Sequence, residues 1–153
     1  MRLKVPVSLA REHDELHAEL VRATKAGGRS GVAARAVAAL LHPHFASEEE
    51  FALPPLGLLA GLAAGKLTPA MQDAIAMSDK LKRELPRMMK EHKDIVRALE
   101  KLVSAAKKEK KSKIVRFADK LALHAKTEEQ VLYPAAILVG EYLRLVLQRH
   151  MPE

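Results

Sequence analysis

Cysteine is absent from the 153 residues, and so is tryptophan. Without thiols the chain can build no disulfide, zinc ribbon, iron–sulfur cluster, thiolate-ligated haem or cysteine nucleophile. Aromatic residues make up only 3%, too few for a platform that stacks single-stranded nucleic acid. Long apolar runs are missing too. The longest weakly charged stretch, Phe51 to Gly65, contains Pro54, Pro55 and three glycines and falls short of the roughly 18 apolar residues a spanning helix needs. The N-terminal sequence reaches Arg11-Glu12-His13 before an apolar signal region forms, so neither a secretory signal nor a membrane span is expected and the default location is cytoplasmic.

What is present is an ordinary globular mixture, 48% hydrophobic and 29% charged, in a length that suits one domain over residues 1–153. Lys and Arg exceed Asp and Glu by 26 to 19. That excess permits an anionic partner without identifying one. The unusual feature is seven histidines in so small a chain.

Alternating strand patterns are missing, and Ala, Leu, Lys, Glu and Arg dominate, which predicts helices throughout. The first should run from Pro6 to Ala26-Gly27-Gly28, and the second from a cap at Ser30 to Leu53, ahead of Pro54-Pro55. Leu56 to Gly65 reads as a connector or short helix, and Thr68-Pro69 as the start of a segment reaching Ala106, broken or kinked at Pro86. Lys107 to Lys113 reads as a basic turn, with a fourth main helix from there to Leu132, ended by Tyr133-Pro134, and an apolar last helix from Ala135 to Arg149.

The chain also repeats itself. Arg11-Glu12-His13-Asp14-Glu15-Leu16 recurs as Lys90-Glu91-His92-Lys93-Asp94-Ile95, 79 residues on; His44-Phe45-Ala46-Ser47-Glu48-Glu49 recurs as His124-Ala125-Lys126-Thr127-Glu128-Glu129, 80 residues on. Leu53-Pro54 matches Tyr133-Pro134 at the same offset of 80. One helical hairpin therefore appears twice, with a histidine on its first helix and His-x-x-x-Glu-Glu on its second.

Helical spacing places these residues inward. The stripes read Leu9, His13, Leu16, His17, Leu20; Val37, Leu41, His44, Glu48, Phe51; Met88, His92, Ile95, Leu99, Leu102; and Phe117, Leu121, His124, Glu128, Val131. An unpaired carboxylate in such a core costs several kcal/mol even after relaxation. A shared cation removes the cost, and residues four apart differ by only about 40° around a helix, so each His–Glu pair reaches one cluster. A metal-free network of buried histidines and glutamates is the alternative. His17, one turn after His13, reads as a fifth histidine ligand or a pocket residue; its repeat counterpart is Val96. His42, Glu49 and Glu129 are expected at the surface or behind the ligands, and His150 is expected to play no part. A site of imidazoles and carboxylates without thiolate suits iron first, then manganese or zinc. Neither Glu-x-x-His nor His-Glu-x-x-His occurs at any of the histidines, which argues against a ferritin-type site and a zincin protease.

Across about residues 5–135 the pieces Glu12-His13-Asp14-Glu15-Leu16-His17, His44-x-x-x-Glu48-Glu49, Glu91-His92 and His124-x-x-x-Glu128-Glu129-x-x-Leu132-Tyr133-Pro134 resemble the hemerythrin-like, or HHE cation-binding, family. The resemblance implies an all-α, up-down-up-down four-helix bundle around an oxo- or hydroxo-bridged di-iron centre, followed here by a C-terminal helix over 135–150. It implies Glu48 and Glu128 as bridging ligands and His13, His44, His92 and His124 as terminal ligands, with His17 in the place of a fifth.

Two functions then stand side by side. One is a carrier or sensor of O₂ or NO, with a dry pocket lined by Leu16, Leu41, Phe45, Ile95, Phe117 and Leu121. The other is a redox enzyme or iron donor acting on peroxide, nitric oxide or damaged iron clusters. Nucleic acid is not expected as a partner, since Lys107 to Lys113 reads as a solvated loop; the apolar last helix reads most simply as packed along the bundle, with a homodimer through it as the alternative.

Overall fold

The computed structural model describes residues 3–150, the side chains of Ala70 and His150 excepted. No strand occurs among the described residues. Helix α1 (Val7–Thr24) starts behind Pro6 and stops before Gly27, whose φ is 71°. Helix α2 (Gly28–Ser47) continues into a π-helical turn (Glu48–Ala52), then a 3₁₀ segment (Pro54–Leu58) and the short α3 (Leu59–Ala63). A 3₁₀ turn (Pro69–Met71) leads into α4 (Gln72–Lys108). Helix α5 (Ser112–Thr127) passes through a second π-helical turn (Glu128–Leu132) into α6 (Tyr133–His150).

The structure departs from several sequence expectations. Ser30 does not cap α2. The helix begins at Gly28, and the Ser30 backbone N–H donates to Glu109 Oε1 at 2.8 Å, so a carboxylate from the α4–α5 turn does the capping. Lys111 Nζ reaches the same corner, donating to the carbonyls of Ala26 and Gly27 at 2.9 and 3.0 Å. Lys111 thereby joins the two interhelical turns, while Lys107, Lys108, Lys110 and Lys113 of the same tract are exposed.

Pro86 does not break α4, which runs unbroken for 37 residues. The proline is exposed, so the Lys82 carbonyl it leaves unpaired can turn to water. Pro43 sits exposed inside α2 in the same way.

Tyr133-Pro134 does not end its helix. The π turn resets the hydrogen-bond register and Pro134 falls, exposed, in the first turn of α6, where a carbonyl left without its N–H can turn to water. Because α5 and α6 are continuous, residues Ser112–Arg149 form a 38-residue helical stretch, one part of which is long and apolar enough to cross a membrane by length and composition. That corrects the expectation that no stretch of the chain is long and apolar enough to span one. One side of α6 is buried through Ala136, Val139 and Leu143, while Leu138, Tyr142 and Leu145 are exposed.

The last correction is Val131, which is 56% exposed although its repeat partner Phe51 is buried. In the second hairpin the five-residue π step carries the inward stripe from Glu128 to Tyr133, past Val131.

Two apolar clusters flank the polar residues. Leu16, Leu20, Val37, Leu41, Ile95, Leu99, Phe117 and Leu121 belong to one. Phe51, Leu53, Leu56, Leu81, Met88, Tyr133 and Ala136 belong to the other. Along α1 and α4 the histidine stands between a residue packed on the second cluster (Leu9, Met88) and one of the first (Leu16, Ile95); along α2 and α5 it follows a residue of the first (Leu41, Leu121), and the chain beyond it supplies the second (Phe51, Tyr133). The polar layer is therefore sealed at both ends by packed side chains.

Candidate metal centre

Six of the predicted ligands meet in that layer: His13, His44, Glu48, His92, His124 and Glu128, all buried. Helix α1 supplies His13, α2 supplies His44, α4 supplies His92 and α5 supplies His124. Each glutamate opens a π-helical turn, which is closed by the backbone N–H five residues on, Leu53 onto Glu48 and Tyr133 onto Glu128. Such turns are rare and concentrate at functional sites. Here one follows each His-x-x-x-Glu, redirecting the chain after both ligands have been delivered.

The atoms group into two overlapping sets. His13, His124, Glu48 and Glu128 form one, and His44, His92, Glu48 and Glu128 the other, the donor atoms of each lying within 4.8 Å of one another. Both glutamates are common to the two. Glu48 Oε1 lies 3.8 Å from His13 Nε2 and 3.5 Å from His44 Nε2; Glu128 lies 3.7, 3.4 and 3.2 Å from the Nε2 atoms of His13, His92 and His124. Although His124 Nε2 and Glu128 Oε2 are close, they are not aligned for a hydrogen bond. His13 Nε2, His124 Nε2, Glu48 Oε1 and Glu128 Oε2 are all buried without a hydrogen-bond partner. Four orphaned donor atoms in one spot would cost about 1–3 kcal/mol each if nothing joined them. A cation among them satisfies all four, so the residues fit a metal.

Behind each histidine stands another carboxylate. His13 Nδ1 lies 3.4 Å from Glu49, His44 Nδ1 3.3 Å from Glu91 and His92 Nδ1 3.0 Å from Glu129, while His124 Nδ1 bonds Glu12. A carboxylate only accepts, so each Nδ1 carries a proton and each Nε2 is left facing the cluster, free to bind a cation. Glu12 and Glu91, each just before a ligand histidine, were not foreseen from sequence as supports. They serve the opposite hairpin, Glu12 reaching His124 and Glu91 reaching His44. The repeat was the available signal, since Glu12 and Glu91 are equivalent positions.

Charge is distributed unevenly. Burial and the charge of Glu128 hold the Glu48 carboxyl well above its ordinary range, so Glu48 keeps its proton. For Glu128 burial acts the same way, but the Glu48 carboxyl and the His124, His13 and His92 imidazoles around it outweigh burial and keep Glu128 ionised. Burial and neighbouring His92 push His44 down. Burial also works against charging His92 and His124, yet the nearby Glu128 carboxylate, with Glu129 and Glu12 behind the two rings, raises both. His92 Nε2 and His44 Nε2 are 2.8 Å apart.

The family model for the hemerythrin HHE cation-binding domain matches residues 7–136. The chain belongs to this family. No curated protein and no solved structure shows a significant match to it. The hemerythrin match covers all four ligand-bearing helices and both π turns, and cation binding agrees with the buried His/Glu cluster.

His17 is not brought into the cluster. It is exposed, with its ring 4.8 Å from that of His42, also exposed, at the rim of a 210 Å³ cavity lined by His13, Asp14, Phe45 and Glu49. The inward turn of α1 goes to Leu16 instead, which is 1% exposed.

The clearest residue unforeseen at the site is Tyr133. Its hydroxyl donates to Glu48 Oε2 at 2.8 Å and lies 3.3 and 3.1 Å from the Nε2 atoms of His44 and His92. Burial, then Glu48 and Glu128, raise its pKa, so it remains a neutral phenol. Its sequence partner at the offset of 80 is Leu53, which gave no warning of a polar role.

Proposed function

We propose that the cluster holds two iron ions, Glu48 and Glu128 bridging them, with His13 and His124 on one and His44 and His92 on the other, and that the protein carries or senses O₂ or NO. The observation that carries this reading is the pair of donor sets sharing both glutamates. Each set offers two imidazoles and two carboxylates, a donor class suited to non-haem iron ahead of manganese or zinc. When bound, such a pair supplies an open coordination position for a diatomic ligand.

The chain's own part is to exclude water, fix the ligands and place a proton. Leu16, Leu41, Ile95 and Leu121 close one side of the polar layer and Met88 and Tyr133 the other. Phe45 stacks on His13 with ring centroids 4.0 Å apart, screening that imidazole. Glu12, Glu49, Glu91 and Glu129 lock the ring orientations, and the Tyr133 phenol holds a proton inside the layer. The alternation of the two apolar clusters along successive helices supports an up-down-up-down bundle as the frame.

Elemental analysis of freshly purified protein, with ultraviolet and visible spectra taken anaerobically and in air, tests the function. Two irons per chain and a band that reverses on removing oxygen are expected. Two irons that oxidise once without reversing would favour a redox enzyme or iron donor acting on peroxide, nitric oxide or damaged clusters. Absence of metal, with a fold indifferent to chelator, would defeat the metal reading.

A further inference from the structure

The two hairpins match in sequence, but the two donor sets do not match in what their free atoms touch. At the His13–His124 position both imidazole Nε2 atoms and one oxygen of each glutamate are orphaned. At the His44–His92 position the two Nε2 atoms are bonded to each other at 2.8 Å and the Tyr133 hydroxyl touches both. The same hydroxyl donates to Glu48 Oε2 at 2.8 Å. A hydroxyl in contact with three donor atoms of one set stands where an ion of that set would make its bonds. The other set has nothing comparable: Leu53, the repeat partner of Tyr133, carries no hydroxyl, and the neighbour of His13 is the apolar Phe45 ring. The cavity of 210 Å³ also reaches His13, so the orphaned set lies toward an opening to solvent.

We propose that the two positions are inequivalent and fill in order, the His13–His124 position first and the His44–His92 position second, when its cation displaces the Tyr133 hydroxyl from Glu48 and the histidines. This rests on the reading of the cluster as a two-metal centre. A first cation gains four donors that have no other partner. A second must break the His44–His92 bond and the three contacts of Tyr133, and losing one hydrogen bond to a charged group lowers affinity by about tenfold or more. Tyr133 is thus a positioning residue that separates the two affinities and stabilises a half-loaded protein.

Metal-stripped protein is titrated anaerobically with Co²⁺, following heat and the visible bands of the bound ion. Wild type is expected to show two steps of one equivalent each, separated by about tenfold or more. Tyr133→Phe should take up the same total with the second step tightened toward the first. His44→Ala should keep the tight step and His124→Ala should lose it, helix content of each metal-free variant being checked by far-ultraviolet circular dichroism. The unmodified chain gives an independent readout. With no tryptophan and only two tyrosines, of which Tyr133 is the buried one, the tyrosine band of the near-ultraviolet circular dichroism should change with the second equivalent and not the first. A single unresolved step overturns the proposal while leaving the two-metal reading intact. So does a second step that Tyr133→Phe leaves unmoved or weakens, the latter making the hydroxyl a ligand. No uptake by wild type overturns both.

Discussion

Glu128 is the residue with the most at stake, because it faces His13, His92 and His124 at once from a position 1% exposed. Glu128→Ala should abolish cation uptake, read by elemental analysis. Removing one partner from a buried charge set costs about 3–5 kcal/mol, so the metal-free variant should also unfold earlier in denaturant. Glu91 acts through His44 without entering either donor set. Glu91→Gln should therefore leave the stoichiometry intact and weaken cation affinity by about 10- to 100-fold, the usual effect of losing a support behind a histidine ligand; competition against a chelator of known affinity measures it. His17 provides the contrast. Exposed and paired only with His42, it should change stability by no more than about 0.5 kcal/mol as His17→Ala and leave the metal content unaltered. A loss of metal in that variant would return it to the ligand set.

The elements place these side chains by two devices, the π turns and the corner where the interhelical turns meet. That corner depends on Gly28, whose φ is 64° and where an added Cβ would fall 2.1 Å from Glu109 Oε2. The absence of a side chain lets Glu109 approach the start of α2 and bind Ser30, whose bonds hold the Glu109 carboxyl below its ordinary range. Gly28→Ala forces a left-handed residue and pushes Glu109 away. The strain alone is worth about 1–2 kcal/mol, and a denaturation midpoint lowered by that amount with unchanged helix content is the expected result. Gly140 plays a packing role where α6 meets α4, since an added Cβ would lie 2.3 Å from the Ser78 Cβ, and Ser78 Oγ donates to the Ala136 carbonyl at 2.7 Å.

For the whole molecule the consequence is that protons and metal ions compete for one layer. His92 and His124 are raised in the fold, so their contribution is complete below about pH 6.5 and is lost as pH rises through their raised values. The raised Glu48 carboxyl works in the same sense above its own unfolded value. His44, lowered, opposes them, and Glu128, lowered, loses its contribution only under acid conditions. Two raised histidines and the raised carboxyl outweigh the single opposed histidine. Metal-free protein is therefore expected to melt at a lower temperature at pH 8 than at pH 6. Cation-loaded protein should show the reverse, because bound metal replaces those protons. Melting curves of both forms at the two pH values decide it, and a metal-free protein more stable at pH 8 would contradict the shifts.

The helices, the duplicated hairpin and the six histidines and glutamates that cluster in the core are all legible along the chain, because a histidine or glutamate at the 3–4 spacing of core positions has few physical explanations. The two histidines adjacent to that pattern were harder to sort. His13 and His17 are one turn apart, and only the packing of α1 decides that Leu16 takes the inward place. The tertiary structure also decided which carboxylate supports which imidazole, since Glu12 and Glu91 cross to the opposite hairpin and no local spacing encodes such a reach. Tyr133-Pro134 looked like a stop, yet the π turn before it absorbs the proline and aims the phenol into the cluster. Periodicity fixes which face of a helix points inward. What meets on that face, and whether the two halves of a repeat remain equal, depends on contacts between residues distant along the chain.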